Sequence, residues 1–193
     1  MLDNLEKYKV ILASGSPRRR ELMAGLGVNY EVRILPDVDE SYPDTLQGEE
    51  IPLYIAKEQA DAYIPMMQPD ELIITADTIV WLDGEVLGKP RDREDALQML
   101  RTMSGRTHEV FTGVCITTTD WQRSFTAQTE VRFATLSEDE IIYYVDNFKP
   151  MDKAGAYGVQ EWIGFIGVEN ISGSYYNIMG LPVQKLYREL LKV

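Results

Sequence analysis

The run Leu72-Ile-Ile-Thr-Ala-Asp-Thr-Ile-Val-Trp-Leu82 constrains this chain more than any other segment. It is nearly continuous in apolar residues, as a central strand buried on both faces should be. Such a strand needs helices packed over its sheet, which points to an α/β fold. Asp83-Gly84 follows at once as a two-residue hairpin signal, and Glu85 to Leu87 returns. Lys9 to Ala13 reads as another short buried strand. Ser14-Gly15-Ser16-Pro17 breaks it, and a helix runs to about Leu26, with Ser16 as N-cap, Pro17 as first helical residue and Gly27 as the stop.

The remaining elements follow from pattern. Tyr30 to Leu35 reads as a strand, and Asp37 to Glu50 as an acidic loop. Leu53 to Ile64, between Pro52 and Pro65, reads as a helix with its apolar residues on one face. Asp92 opens a helix through about Met103. Glu109 to Thr119 and Phe125 to Thr135 read as an antiparallel hairpin. Ser137 to Glu140 is a capping box for a helix to about Asn147. Trp162 to Asn170 reads as a late strand, and Leu181-Pro182 starts a C-terminal helix. Parallel and antiparallel pairings together predict a mixed twisted sheet with flanking helices, in two lobes.

Charge narrows the function. The chain has 19 Lys+Arg against 31 Asp+Glu, a formal net charge of −12. That disfavours sequence-independent binding to nucleic acid or to an anionic membrane. No apolar run approaches the roughly 18 residues of a membrane span. The first apolar run, Val10 to Ala13, is too short for a signal peptide. Cys115 stands alone, which is consistent with a reducing cytoplasm. A local basic pocket for a small anion stays allowed.

Five constellations bear on that pocket. In Ser14-Gly-Ser-Pro-Arg-Arg-Arg20, free N–H groups at a helix start favour an anion, and Gly15 lets a ligand approach the backbone. Arg18 and Arg19 add guanidinium forks matched to phosphate oxygens. An ordinary capped helix with solvated arginines has the same pattern. Asp77-Thr78 places a carboxylate inside an apolar strand, which is costly unless it is paired, metal-bound or at the strand's open end. A basic or metal-bound Asp and a strand-edge Asp bonded to backbone both fit. Lys89 in Gly88-Lys89-Pro90 returns along the hairpin to the level of Asp77 and Thr78, with a bulge at Gly88 to re-aim it. Otherwise it is a solvated lysine after a turn. Lys57 flanks its helix's apolar stripe, either snorkelling or reaching a phosphate. Gln160, at the end of the small-residue loop 152–160, offers one donor and one acceptor, the complement of an imide such as uracil or thymine. His108 and Cys115 read as structural residues, and the acidic loop as solvated surface except at Glu40.

Taken together, these motifs resemble the Maf family of nucleoside triphosphate pyrophosphatases, from Ile11 to about Leu191. The residues that carry the resemblance are SGSPRR at 14–19, Asp39-Glu40, Lys57, Asp77-Thr78, LGKP at 87–90, SGxxHxVxTG at 104–113, DKAGAYGVQ at 152–160 and GSYYNIMGLP at 173–182. The form DKAGAYGVQ is similar to the branch acting on dTTP and UTP. One departure is Glu161, where the family commonly has a small residue; it bears on how the base is held.

The resemblance implies a single Maf-like domain over 1–193 with an elongated, two-lobed Maf/ITPase-like architecture and a central cleft. It implies hydrolysis of the triphosphate to monophosphate and pyrophosphate with a divalent cation (Mg²⁺ or Mn²⁺), often in a homodimer, and a cytoplasmic location agrees with the lone cysteine. Asp77 is then the proton acceptor, and Arg18, Thr78 and Gln160 set specificity. Chemistry consistent with this has Glu40 and Asp77 at the cation, and Ser14, Arg18, Arg19, Lys57 and Lys89 neutralising the triphosphate. Hydrolysis of another nucleotide, modified or purine, and a non-catalytic nucleotide-binding regulator of septum formation are the competing expectations.

Overall fold

A computed structural model of the chain describes every residue except Met1 and Asp37. Of the expected acidic loop, Asp37 therefore lies outside the described residues. The strands are β1 (Lys9–Leu12), β2 (Glu31–Val32), β3 (Glu71–Leu82), β4 (Glu85–Leu87), β5 (Thr107–Thr117), β6 (Gln122–Phe133) and β7 (Val168–Ser172). The α-helices are α1 (Pro17–Gly25), α2 (Glu50–Tyr63), α3 (Arg93–Met103), α4 (Glu138–Phe148), α5 (Trp162–Gly167), α6 (Tyr175–Ile178) and α7 (Val183–Leu190). The strands form one sheet in the order β2-β1-β3-β5-β6-β7, with β4 paired to β3. The sheet is mixed, as expected. β1 runs parallel to β2 and β3, whereas β3–β4 and β6–β7 are antiparallel.

The chain divides into two compact units. The first comprises 1–77, 112–127 and 180–193. Its buried strands pair Ile11 with Ile73 and Leu12 with Ile74, all fully buried. Parallel strands require a crossover, and α1 and α2 lie in the segments that join them. Tyr63, at the end of α2, packs on Ile11 and Ile73. Its hydroxyl donates to the Arg33 carbonyl at 2.8 Å and accepts from the Leu35 amide at 3.1 Å. Ala56 and Ala60 of α2 pack on Cys115 of β5. The Thr75 hydroxyl donates to the Ala56 carbonyl at 2.6 Å. Small residues bring this helix close, and Gly113 brings it closer still. A Cβ there would stand 2.3 Å from the Pro52 carbonyl oxygen.

The second unit comprises 78–111 and 128–179. Asp83 and Gly84, both at positive φ, make the tight turn between β3 and β4 that their sequence signals. Asp92 caps α3, and Ser137 with Glu140 forms the capping box of α4. Arg101 of α3 binds Glu94 at 2.8 Å and Glu138 of α4 at 2.5 Å. His108, Phe133 and Tyr157 meet edge-on, with ring centroids 4.9 to 5.3 Å apart. Gly155 (φ +67°) lies flat against Val80, whose Cγ2 would be 3.0 Å from a Cβ.

Three expectations are corrected, and one element is new. The strand expected over Trp162 to Asn170 is a helix, α5, as far as Gly167 and a strand only from Val168. Ile163 and Gly167 are the buried residues of α5, one helical turn apart, and a short apolar run does not separate the two periods. The strand over Tyr30 to Leu35 shrinks to Glu31–Val32, both exposed at the edge of the sheet. The helix α6 within 173–182 was not expected. The β3–β4 ladder runs from Leu82↔Glu85 to Val80↔Leu87, and β4 ends there. Lys89 therefore follows the end of the ladder rather than pairing within it. The Gly88 carbonyl just before it accepts from the Gly155 amide at 3.1 Å.

Candidate active site

The first unit holds Ser14, Arg18, Arg19, Glu40, Lys57 and Asp77. β1 delivers the chain to Ala13, whose amide bonds the Ile74 carbonyl at 2.9 Å. The turn that follows is built as its sequence suggests. The Ser16 side chain accepts from the Arg19 amide and caps α1, with Pro17 in the first turn. Ser14 is buried, and its hydroxyl accepts from the Ser16 amide at 3.2 Å and from Arg19 Nη1 at 3.5 Å. Gly15 is exposed, and a Cβ there would meet only Ile34 Cδ1 at 3.4 Å, an ordinary contact.

Arg19 is the hub of this unit's charges. Its Nε donates to the Gly180 carbonyl at 2.7 Å, tying α1 to the segment before α7. Burial, the largest influence, pulls the guanidinium below its ordinary pKa. Asp77 opposes that shift, Arg18 adds to it, and Glu40 opposes it. One guanidinium thus feels both candidate carboxylates and the neighbouring arginine. Among the positions of β3, Asp77 and Thr78 interrupt an otherwise buried stretch. Asp77 is half-buried at mid-strand with its Oδ2 buried, so keeping the carboxylate charged calls for compensating charge or donors nearby.

Glu40 is exposed, and its Oε1 accepts from Gln59 Nε2 at 3.0 Å. Gln59 lies on α2, two residues after Lys57. Lys57 is exposed on the same helix and lowers the pKa of the Cys115 thiol, which burial raises to about 11. Cys115 and His108 are core residues, as expected. Cys115 is fully buried, and burial holds His108 at a pKa of about 4, with Nε2 2.7 Å from the Tyr157 hydroxyl oxygen.

The second unit holds Thr78, Lys89 and Gln160. Lys89 is exposed. Gln160 is half-buried, and its Oε1 is buried without a hydrogen-bond partner in the protein. An orphaned buried acceptor is costly unless a ligand supplies the donor.

Among the described residues, no group of three or more His, Cys, Asp or Glu side chains is placed to hold a metal ion. Asp77 and Glu40 are the two carboxylates that act on Arg19, and Mg²⁺ takes no more than one or two carboxylates, completing its shell with water and substrate phosphates.

Sequence reasoning missed the supporting residues. Gly180, Gln59 and Gly113 position Arg19, Glu40 and α2 without being chemical themselves. The glycines sit inside motifs already singled out, whereas Gln59 carries no signal.

The class of protein follows from the fold first. The Staphylococcus aureus Ham1 protein superposes with a TM-score of 0.53 over 94% of this chain and 99% of its own, at 17% identity. At that identity the likeness concerns the fold. The chain itself belongs to the Maf family: the model of the Maf-like protein family matches residues 9–193. A protein of Bacteroides thetaiotaomicron named dTTP/UTP pyrophosphatase is 71% identical over the whole of both chains. Proteins of the same name from Bacteroides fragilis and Porphyromonas gingivalis are 70% and 55% identical, over 98% of this chain and 98% and 96% of theirs.

Proposed function

We propose that this chain hydrolyses dTTP and UTP to the monophosphate and pyrophosphate. The observation that carries the reading is the turn at the start of α1, where the buried Ser14 hydroxyl accepts from the Ser16 amide and from Arg19 Nη1 at 3.5 Å, with Asp77, Arg18 and Glu40 all acting on that guanidinium. The full-length relatives named dTTP/UTP pyrophosphatase support the choice of substrate.

In this reading Asp77 accepts a proton from the attacking water. The water oxygen bonds the α-phosphorus, the bond from that phosphorus to the bridging oxygen breaks, and pyrophosphate leaves with its electron pair. Ser14, the amides beside it, Arg18, Arg19 and Lys57 bind the phosphates, and Lys89 neutralises charge that develops on the leaving group. Gly15 supports this role, because no contact inside the protein demands a glycine there. Asp77 and Glu40 hold a divalent cation, Mg²⁺ or Mn²⁺, which when bound polarises phosphoryl oxygens and lowers the pKa of water. Arg18, Thr78 and Gln160 set the choice of nucleotide. The orphaned Gln160 Oε1 supports base reading, since the N3–H of uracil or thymine is a donor that suits it. A cytoplasmic homodimer completes the proposal. No helix of the described residues is long and apolar enough to cross a membrane.

The test is pyrophosphate release from a panel of nucleoside triphosphates, with and without Mg²⁺ or Mn²⁺, beside the Asp77→Asn protein. Release is expected from dTTP and UTP, reduced at least about 100-fold by Asp77→Asn. Near-normal turnover of that variant removes Asp77 from its role. Nucleotide binding without release identifies a regulator instead of an enzyme.

A further inference from the structure

We propose that Glu161, acting through Lys153 and Tyr144, is the positioning residue that holds Gln160 in place for selecting the base; this rests on the base-reading role of Gln160 given above. All four residues belong to the second unit. Glu161 is the N-cap residue of α5, yet its side chain makes no capping hydrogen bond. Its carboxylate serves the segment before the helix. Oε1 lies 3.2 Å from Lys153 Nζ, and Oε2 accepts from the Tyr144 hydroxyl.

Tyr144 is fully buried, and its hydroxyl oxygen accepts from the Gly158 amide at 2.9 Å. The Gly158 carbonyl accepts in turn from the Glu161 amide at 3.0 Å. Both backbone groups of Gly158 are therefore held, one by Glu161 and the other by its tyrosine partner. Gly158 also makes the room for this. A Cβ there would stand 3.0 Å from Glu161 Cδ and 3.0 Å from Lys153 Cε.

Gln160 lies inside this clamped turn. Its Oε1 has no partner in the protein, so nothing at that oxygen fixes the carboxamide. Its place is set from the backbone side. An amide offers a donor on one side and an acceptor on the other. A glutamine that can shift or rotate pairs with cytosine as readily as with an imide, so selectivity needs it held. The carboxylate at 161 is needed because Lys153 is buried, with its side chain 10% exposed. A buried ammonium requires a counter-charge in the same surroundings. Asp152 also reaches it at 2.9 Å but is 64% exposed, against 21% for Glu161.

The wild type, Glu161→Ala, Glu161→Gln, Tyr144→Phe and Gln160→Ala are assayed for pyrophosphate release from dTTP, UTP and dCTP with Mg²⁺ present. Glu161→Ala is expected to raise KM for dTTP and UTP about tenfold, with kcat changed less than about threefold. The dTTP-over-dCTP ratio of kcat/KM falls about tenfold. Glu161→Gln, which keeps an oxygen for Tyr144 but loses the charge facing Lys153, falls between. Tyr144→Phe moves the ratio in the same direction and carries the test if Glu161→Ala does not fold. A merely structural role lowers the active fraction for every nucleotide alike and leaves KM and the ratio untouched. That result, with Gln160→Ala lowering the ratio as expected, overturns the positioning role alone. An unchanged ratio in Gln160→Ala overturns the base-reading role itself, and the positioning role with it.

Discussion

Replacing Gly113 with alanine tests how closely α2 must lie on β5. The added Cβ would stand 2.3 Å from the Pro52 carbonyl oxygen and 2.4 Å from the Leu53 nitrogen, both backbone atoms that no rotamer change moves. Ordinary contact begins at 3.4 Å, so the start of α2 must retreat by about 1 Å. Overpacking of this kind costs about 1–3 kcal/mol, and a backbone obstacle places this site at the upper end. For a chain of this size that lowers Tm by roughly 6–12 °C. The retreat also stretches the 2.6 Å bond from Thr75 to the Ala56 carbonyl and carries Lys57 with it. Misplacement of a phosphate-binding group by about 1 Å costs up to roughly 100-fold in turnover. Thermal unfolding followed by circular dichroism, together with dTTP hydrolysis, reads both effects. Gly25→Ala in α1 is the control, because its Cβ meets nothing within 4 Å. A Gly113→Ala protein that melts within about 2 °C of the wild type refutes the reasoning.

Two further predictions concern pH. Arg33 holds the Glu71 carboxyl below the usual carboxylate range, chiefly through hydrogen bonds at 2.5 and 3.1 Å. The folded-state pKa is depressed, so this stability is present at neutral pH and is lost as pH falls through that pKa. Glu71→Gln should flatten urea-measured stability below about pH 4, and an unaltered acid limb would count against the pair. Burial holds His108 neutral with a pKa of about 4, against roughly 6.5 when unfolded. Stability from this residue is complete above about pH 6.5 and falls by up to about 1.4 kcal/mol per pH unit down to about pH 4. His108→Gln should remove that slope; a wild-type stability already flat between pH 6.5 and 5 sinks the assignment.

Much of the first unit was legible because its signals are local. The Ser16–Pro17 start of α1 needs only a capping oxygen and a residue that lacks an N–H, and the structure builds it so. The capping box at Ser137 and the Asp83-Gly84 turn are local in the same sense. The reading failed where a short segment satisfies two periods. The run Trp162 to Gly167 is apolar enough for either a strand or a helix, and burial of Ile163 and Gly167 on one side decided for the helix. It failed again at Lys89, where alternation was carried past the last paired residue. Past that point the Gly88 carbonyl bonds the amide of distant Gly155, which no neighbour of Lys89 announces.

From its order of residues alone, this protein carries its element types, its anionic surface and the ordered set of motifs that place it among Maf-like proteins. Each depends on chemistry within a few positions or on composition. Tertiary structure decided which of those groups feel one another. That Arg19 is partly buried, bonded to Gly180 and within the influence of Asp77 and Glu40 follows from segments far apart in the chain meeting. The bond from Tyr144 to Glu161, with Lys153 beside it, arises the same way. Burial and proximity set both the cost and the strength of a charge interaction, and neither is a property of any residue taken by itself.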